Sequence, residues 1–366
     1  MSVGIGIVGL AKSGRTTIFN ALTRGRANTG VYTPEAPHIG SSRVQDPRLA
    51  ALAAQTKPEK ITPAEVRYLD IGTSVKSLAQ DTGISGQLLN QLSNTDAIAD
   101  VVRAFTDDSI PHIENSVDAA RDIATMDLEL AFSDLAIIER RLKRMETLFK
   151  KARSDERQHI HREQELLLRI KAALEQETPV RELSLTTDEA KAIATYQFLS
   201  AKPLLTIVNI GEDQLPRAKA LEEELSQRFA RPGHRLITLC GKLEMELAQL
   251  DEETAEACRA EFCLDEPGLD KAIKASYELL GLITFFTTGS DEVKAWSIQS
   301  GTTALKAAGK IHTDIERGFI RAEVISYNDL IKSGSLAEGR KHGLLRLEGK
   351  SYIVQDGDVI TFLFNV

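Results

Sequence analysis

Residues Val3–Thr17 read V-G-I-G-I-V-G-L-A-K-S-G-R-T-T: an apolar run, then glycine, four residues, glycine, a cation and two threonines. The run reads as a buried strand, and Gly9 onward follows the phosphate-binding pattern G-x-x-x-x-G-K-[ST], except that Arg15 stands in the lysine position. In such a loop glycines let backbone N–H groups turn inward about an anion, and the helix that follows presents its positive end to the charge. Gly9, Lys12, Ser13, Gly14, Arg15, Thr16 and Thr17 are therefore the candidate nucleotide-binding residues, with the Thr16 hydroxyl a candidate magnesium ligand. A lysine ammonium is a compact point charge that fits between phosphates, whereas guanidinium is wide and planar. On the residues alone two readings stay open: Arg15 contacts phosphate from a different angle, or Lys12 swings in as the substitute cation.

Working outward, T-T-I-F-N-A-L, A-E-V-R-Y-L-D-I, Q-L-L-N-Q-L and D-A-I-A-D-V-V-R-A-F continue an alternation of helix and strand, which predicts an α/β fold with a parallel-rich sheet. From Ser116 to Glu177 the pattern becomes helical, with apolar residues three and four apart and no glycine or proline before Pro179, as in two long antiparallel helices. K-P-L-L-T-I-V-N-I and H-R-L-I-T-L-C then return to strands of the same sheet. From Ile283 onward, short β runs surround one helical patch, T-T-A-L-K-A-A-G-K-I. The expected boundaries are a discontinuous first domain at 1–115 and 190–280, a helical coiled-coil insertion at 116–189, and a small mixed β domain at 281–366.

With 366 residues the chain can bury a sizeable core and divide into two or three domains. Hydrophobic content of 42% and charged content of 27% are those of a soluble globular protein. There is no apolar run of about 18 residues and no basic-flanked leader, so no membrane partner is expected and the cytoplasm is the expected location. A net charge of -8 argues against a general coat for nucleic acid, and DNA is not an expected partner, although a local basic face stays compatible with RNA. Cys240, Cys258 and Cys263 lack C-x-x-C spacing and read as buried free thiols rather than a disulfide framework or a zinc site.

Two further stretches bear on nucleotide chemistry. Asp70 closes an apolar strand in L-D-I-G-T, where an acid in a P-loop protein binds magnesium, and a glycine three residues later reads the terminal phosphate. Here position 73 is Thr and the glycine falls at Gly72. Asn209 to Glu212, N-I-G-E, follows the strand L-L-T-I-V where a guanine-reading loop would carry N-K-x-D. Glu212 without the lysine disfavours guanine.

Together these residues resemble the YchF-type, Obg-related family of P-loop ATPases, also called Obg-like ATPases, over essentially the whole chain. The most specific matches are K-A-W-S-I, A-A-G-K-I-H-T-D-I-E-R-G-F-I-R-A-E-V-I and D-G-D-V-I-T-F-L-F-N-V near the C-terminus. Supporting matches are I-V-G-L at Ile7, F-N-A-L at Phe19, D-P-R-L at Asp46, D-A-I-A-D-V-V-R-A-F at Asp96 and D-E-P-G-L at Asp265. The resemblance implies a P-loop NTPase G domain interrupted by a coiled-coil arm, then a ubiquitin-like β-grasp TGS domain. It implies ATP in preference to GTP, Mg2+, and association with ribosomes or translation factors. It assigns Asn209 and Glu212 to the altered base-reading loop, Thr33 to the magnesium-binding threonine of the first switch, and His112 to the loop histidine proposed to replace the usual water-orienting glutamine. The chain departs from the family at the groups nearest the γ-phosphate: G-L-A-K-S-G-R-T-T replaces G-x-P-N-V-G-K-S-T, and D-I-G-T replaces D-I-A-G.

Two functions follow as expectations. One is a slow ATPase in which Arg15, Thr16 and Asp70 hold Mg-ATP. The alternative is a non-hydrolysing pseudo-NTPase, a scaffold for ribosome or RNA, and a GTP-binding switch is weaker still. For an RNA contact, the arm carries Arg140, Arg141, Lys143, Arg144, Lys150, Lys151 and Arg153. The C-terminal run Lys306, Lys310, His312, Arg317 and Arg321 is interleaved with Asp314, Glu316 and Glu323.

Overall fold

The computed structural model describes residues 3–25, 37–71, 86–150, 153–229, 231–289 and 291–365. The chain opens with β1 (Val3–Val8), α1 (Arg15–Thr23), β2 (His38–Arg43), α2 (Pro47–Thr56), β3 (Lys60–Thr62), β4 (Glu65–Asp70), α3 (Gly86–Ser93) and β5 (Ala97–Arg103). The helical section is α4 (Ala119–Phe149), α5 (Ser154–Glu175) and α6 (Thr187–Ile193), and the α/β pattern resumes as β6 (Leu204–Asn209), α7 (Ala218–Phe229), β7 (His234–Leu239), α8 (Gly241–Leu247), α9 (Glu252–Glu261) and α10 (Gly268–Leu280). The last part holds β8 (Leu282–Thr288), β9 (Glu292–Gln299), α11 (Ala304–Ile311), α12 (Thr313–Arg317), β10 (Phe319–Ser326), α13 (Tyr327–Ser333), α14 (Leu336–Lys341), β11 (Arg346–Glu348) and β12 (Asp358–Phe364).

The first sheet runs β2-β4-β1-β5-β6-β7, and β1, β5, β6 and β7 pair in parallel. Parallel strands covered on both faces read as continuous apolar runs, and β5 and β6 are buried along their whole length. One face packs Ile98 and Leu204 against Met126 and Leu130 of α4, so the root of the helical section is part of this core. Beyond that root α4 and α5 form an antiparallel pair joined through Ile138, Met145, Leu167 and Ile170. Arg141 and Glu163 clamp it with two bonds of 2.9 Å each. Asp118 starts α4 by accepting from the Arg121 N–H, which satisfies one of the donors every helix leaves open at its start.

The second sheet runs β11-β10-β12-β8-β9-β3. Its central pair β12–β8 is parallel, and β8–β9 and β10–β12 are antiparallel, the β-grasp arrangement. Phe285, Ala304, Ala307, Ala308 and Val324 form its core against α11, where alanines let the helix approach the strands. Two compact units result: Gly4–Gly40 with Tyr68–Ala275, and Met1–Val3 with Ser41–Arg67 and Ser276–Val366. Segment 41–67 lies in the second unit although alternation alone groups it with the first hundred residues. The cause is apolar: Leu49 and Leu52 of α2 bury against Phe286 and Val293, and β3 extends the sheet alongside β9.

The cysteines depart from the buried reading. Cys240 is buried, which pushes its thiol pKa up, Cys258 is half-buried, and Cys263 is exposed. Cys263 follows the end of α9 with φ of 53°, a helix-terminating position that turns it out of the packing. No described helix is long and apolar enough to cross a membrane.

Candidate nucleotide-binding site

β1 delivers the chain to Gly9, where a Cβ would lie 2.5 Å from the Val101 carbonyl oxygen and 2.7 Å from the Ser13 hydroxyl, so a side chain there cannot fit. The loop folds back on itself as the Ser13 N–H donates to the Leu10 carbonyl at 3.2 Å. Lys12 (φ 65°) and Gly14 (φ 90°) both adopt left-handed backbone, and alternation of this kind makes the inward-facing N–H concavity of an anion site. Gly14 is the N-cap of α1, whose first turn carries no acidic residue and no side-chain cap, leaving its positive end uncompensated. Thr17 lies half-buried in that turn.

Asn209, at the end of β6, is buried beneath this loop. Its Nδ2 donates to the Ser13 carbonyl at 3.0 Å, and its Oδ1 accepts from the Gly241 N–H at 3.0 Å. A Cβ on Gly14 would come within 2.2 Å of that Nδ2. Asn209 therefore holds the loop to the start of α8. Glu212, three residues on, pairs with Lys242 at 3.3 Å, both well exposed.

The Thr16 hydroxyl donates to Asp70 Oδ2 at 2.8 Å, joining α1 to the end of β4. Asp70 is 1% exposed, and its Oδ1 is buried with no hydrogen-bond partner among the described residues. Such an orphaned carboxylate oxygen is costly unless something else completes it. A hydroxyl and a carboxylate are the oxygen ligands magnesium selects, so the pair fits that ion. Arg15 occupies the next position differently from a phosphate-reading lysine: its Nη1 donates to the Ile71 carbonyl at 2.5 Å. Thr33, Gly72 and Thr73 lie outside the described residues.

His112 is buried, 3% exposed, with Nε2 at 2.9 Å from Asp122 Oδ2. Its Nδ1 accepts from the Glu114 N–H at 3.0 Å, so Nε2 is the ring nitrogen that lies against the carboxylate. Arg121 holds the other Asp122 oxygen at 2.8 and 3.0 Å. His112 and Asp122 line a small closed space under the loop together with Leu10, Ser13 and Asp100. Asp100 is fully buried in β5, and desolvation followed by the nearby charges of Asp127 and Asp122 pushes its carboxyl well above the usual range. Sequence reading did not single out Asp100, Asp122, Gly241 or Lys242. The signal for Asp100 was present as a lone acid inside the apolar strand A-I-A-D-V-V.

Away from the loop, Arg140, Lys143, Arg144, Lys150 and Arg153 of the arm are exposed, whereas Arg141 is committed to Glu163. Lys151 lies outside the described residues. Near the tip the Arg157 guanidinium sits 5.6 Å from the ring centre of Phe149, itself 42% exposed. In the C-terminal unit Lys306 pairs with Glu316 and Arg317 with Asp314, so the basic run there is largely balanced.

Comparison with known proteins gives one consistent picture. The YchF-GTPase_C family model, described as a protein of unknown function, matches residues 282–365. Ribosome-binding ATPase YchF of Bacillus subtilis is 39% identical over 370 residues, covering 100% of both chains. The protein of the same name in Haemophilus influenzae is 40% identical over 369 residues, again covering 100% of both. Among solved structures, the YchF GTPase of Schizosaccharomyces pombe superposes with a TM-score of 0.85 at 30% identity, covering 99% of this chain and 98% of that one. A GTP-binding protein of Pyrococcus horikoshii shares the fold, with a TM-score of 0.61 at 17% identity over 100% of both chains.

Proposed function

The chain belongs to the YchF family of P-loop proteins, and from that membership we propose that it binds Mg-ATP at the Gly9–Thr17 loop, turns it over slowly, and works in association with the ribosome. The observation that carries this reading is the Thr16–Asp70 contact, which places a hydroxyl and a carboxylate with one uncompleted oxygen beside the start of α1. Thr16 and Asp70 would hold the magnesium ion, which supplies charge neutralisation at the phosphates when bound. Gly9, Ser13 and Gly14 shape the backbone cradle, and Asn209 fixes it from below. ATP is the preferred nucleotide over GTP because Glu212 stands without the lysine of a guanine-reading loop and instead shares its charge with Lys242.

Slow turnover follows from two groups. Arg15 spends a donor on the Ile71 carbonyl, and His112 faces Asp122 rather than an attacking water. Phosphoryl transfer depends on positioned charge, so each displacement raises the barrier. The same two observations favour a second reading, a pseudo-NTPase that binds nucleotide without hydrolysis and serves as a ribosome-binding scaffold through the arm and the TGS domain.

Calorimetric titration of nucleotide-free protein with ATP, GTP and a non-hydrolysable ATP analogue, with and without magnesium, tests the proposal. Micromolar, magnesium-dependent binding of ATP and its analogue, followed by measurable phosphate release with ribosomes, is the expected result. Binding without release at any ribosome concentration establishes the pseudo-NTPase. Absence of heat up to millimolar nucleotide would remove both and leave a scaffold alone.

A further inference from the structure

We propose that Lys12, rather than Arg15, is the side chain that neutralises the outer phosphates of the bound nucleotide. This inference rests on nucleotide binding at the loop as proposed above.

The loop carries two cations, and the structure uses them differently. Arg15 is the first residue of α1, and its guanidinium donates to the Ile71 carbonyl just past Asp70, where it braces the end of β4 against the helix. Moving it to a phosphate would surrender that bond and leave a carbonyl to be satisfied elsewhere. Lys12 is exposed at the crest of the loop, inside the turn that the Ser13 N–H closes on the Leu10 carbonyl. Among the described residues it has no ion-pair or hydrogen-bond partner.

Backbone geometry points the same way. Lysine at φ 65° adopts left-handed backbone, a conformation that a residue with a Cβ holds at some cost. Asparagine or glycine would hold that turn at less cost. The turn sets Lys12 at the crest, from which a compact ammonium on a four-carbon stem reaches and pairs with phosphate oxygens as a point charge, without the planar fit guanidinium demands. Four positions separate the two glycines, so the loop crest passes over the ligand while the helix start sits behind it. The sequence GLAKSGRT thus keeps one lysine for the anion, moved from the helix to the crest. Arg15, in the position where the phosphate-binding pattern has lysine, serves as the brace.

The experiment measures dissociation constants for ATP, ADP and AMP, with magnesium where the nucleotide takes it, for the full chain and three variants, alongside thermal unfolding of each. Lys12→Asn removes the charge at a position whose backbone conformation asparagine tolerates, Lys12→Arg restores a charge, and Arg15→Gln removes the guanidinium and ends in an amide too short to reach the Ile71 carbonyl. The expected result is that Lys12→Asn weakens ATP at least tenfold and AMP less than twofold with no fall in the unfolding temperature, and that Lys12→Arg recovers part of the loss. Arg15→Gln is expected to weaken all three nucleotides by a similar, smaller factor and to lower the unfolding temperature, as a loop brace does. Equal weakening of ATP and AMP by Lys12→Asn, or a loss graded by phosphate number in Arg15→Gln but not in Lys12→Asn, overturns the proposal while leaving nucleotide binding intact. Failure of the unaltered chain to bind any nucleotide overturns the function and this assignment together.

Discussion

The side-chain amide of Asn209 donates to the carbonyl oxygen of Ser13 at 3.0 Å, across 196 residues of chain. Its other end accepts from Gly241 at 3.0 Å, so one buried side chain satisfies two backbone groups belonging to different loops. Replacing it by alanine leaves both groups buried and unpaired, each at a cost of about 1–3 kcal/mol. Asn209→Ala is expected to lower unfolding free energy by about 2–4 kcal/mol. Urea unfolding checks it. A loss below about 1 kcal/mol would show that the bridge is not a structural tie.

Thr16 and Asp70 make a second prediction. Asp70→Asn keeps an acceptor for the Thr16 hydroxyl but removes the negative charge that magnesium requires. The expected outcome is that the advantage magnesium gives to ATP binding shrinks at least tenfold, which is about 1.4 kcal/mol. Titrations with magnesium and with a chelator measure that difference. An undiminished magnesium effect in the variant places the metal elsewhere.

Stability is expected to fall on mild acidification because of His234. Its Nδ1 lies 3.0 Å from the Phe229 carbonyl, which can only accept, so the ring proton sits there, and Nε2 accepts from the Thr206 hydroxyl at 2.8 Å. Burial, followed by the positive charge of Arg181, pulls the pKa down to about 4. The unfolded chain takes up the proton near pH 6.5 and the folded chain does not, so stability is full above that pH and declines as pH falls toward 4. Between pH 7 and pH 5 the loss is about 2 kcal/mol. Urea unfolding at the two pH values should show it, and His234→Gln should flatten the dependence; equal slopes in both proteins would assign the acid sensitivity to other groups.

The fold was largely legible because each element announced itself locally. V-G-I-G-I-V became β1, the spaced leucines of 119–149 became α4, and A-L-K-A-A-G-K-I became α11. Local pattern does not report which side chain meets which across the chain. Asn209 drew attention as a base-reading residue, yet its amide is spent on Ser13 and Gly241, contacts set by the order of β1, β6 and α8 in space. His112 sat in a polar stretch, and only the fold brings Asp122 of α4 against its ring. Segment 41–67 continued the expected alternation, but Leu49 and Leu52 found their apolar partners nearly 240 residues downstream by numbering. What was missed is long-range pairing of polar groups, for which composition and period carry no signal.

The arm supplies the last prediction. Arg140, Lys143 and Arg144 are exposed on α4, while the neighbouring Arg141 is paired with Glu163. Three exposed cations on one helix, none of them in an ion pair among the described residues and only Arg140 donating to a backbone carbonyl, that of Ala136, lose hydration only when a polyanion arrives, and the counterions released then make the affinity depend steeply on salt. The C-terminal basic run lacks this property because Glu316 and Asp314 already balance it. Arg140→Glu, Lys143→Glu and Arg144→Glu combined should therefore reduce cosedimentation with ribosomes at least tenfold at low salt and flatten its salt dependence. Circular dichroism should stay unchanged, because none of the three side chains contributes to the α4–α5 core. Reversing Arg317 and Lys306 instead should have a smaller effect. If the C-terminal reversals abolish association and the arm reversals do not, the ribosome contact belongs to the β-grasp unit, and the free charge of the arm serves solubility alone.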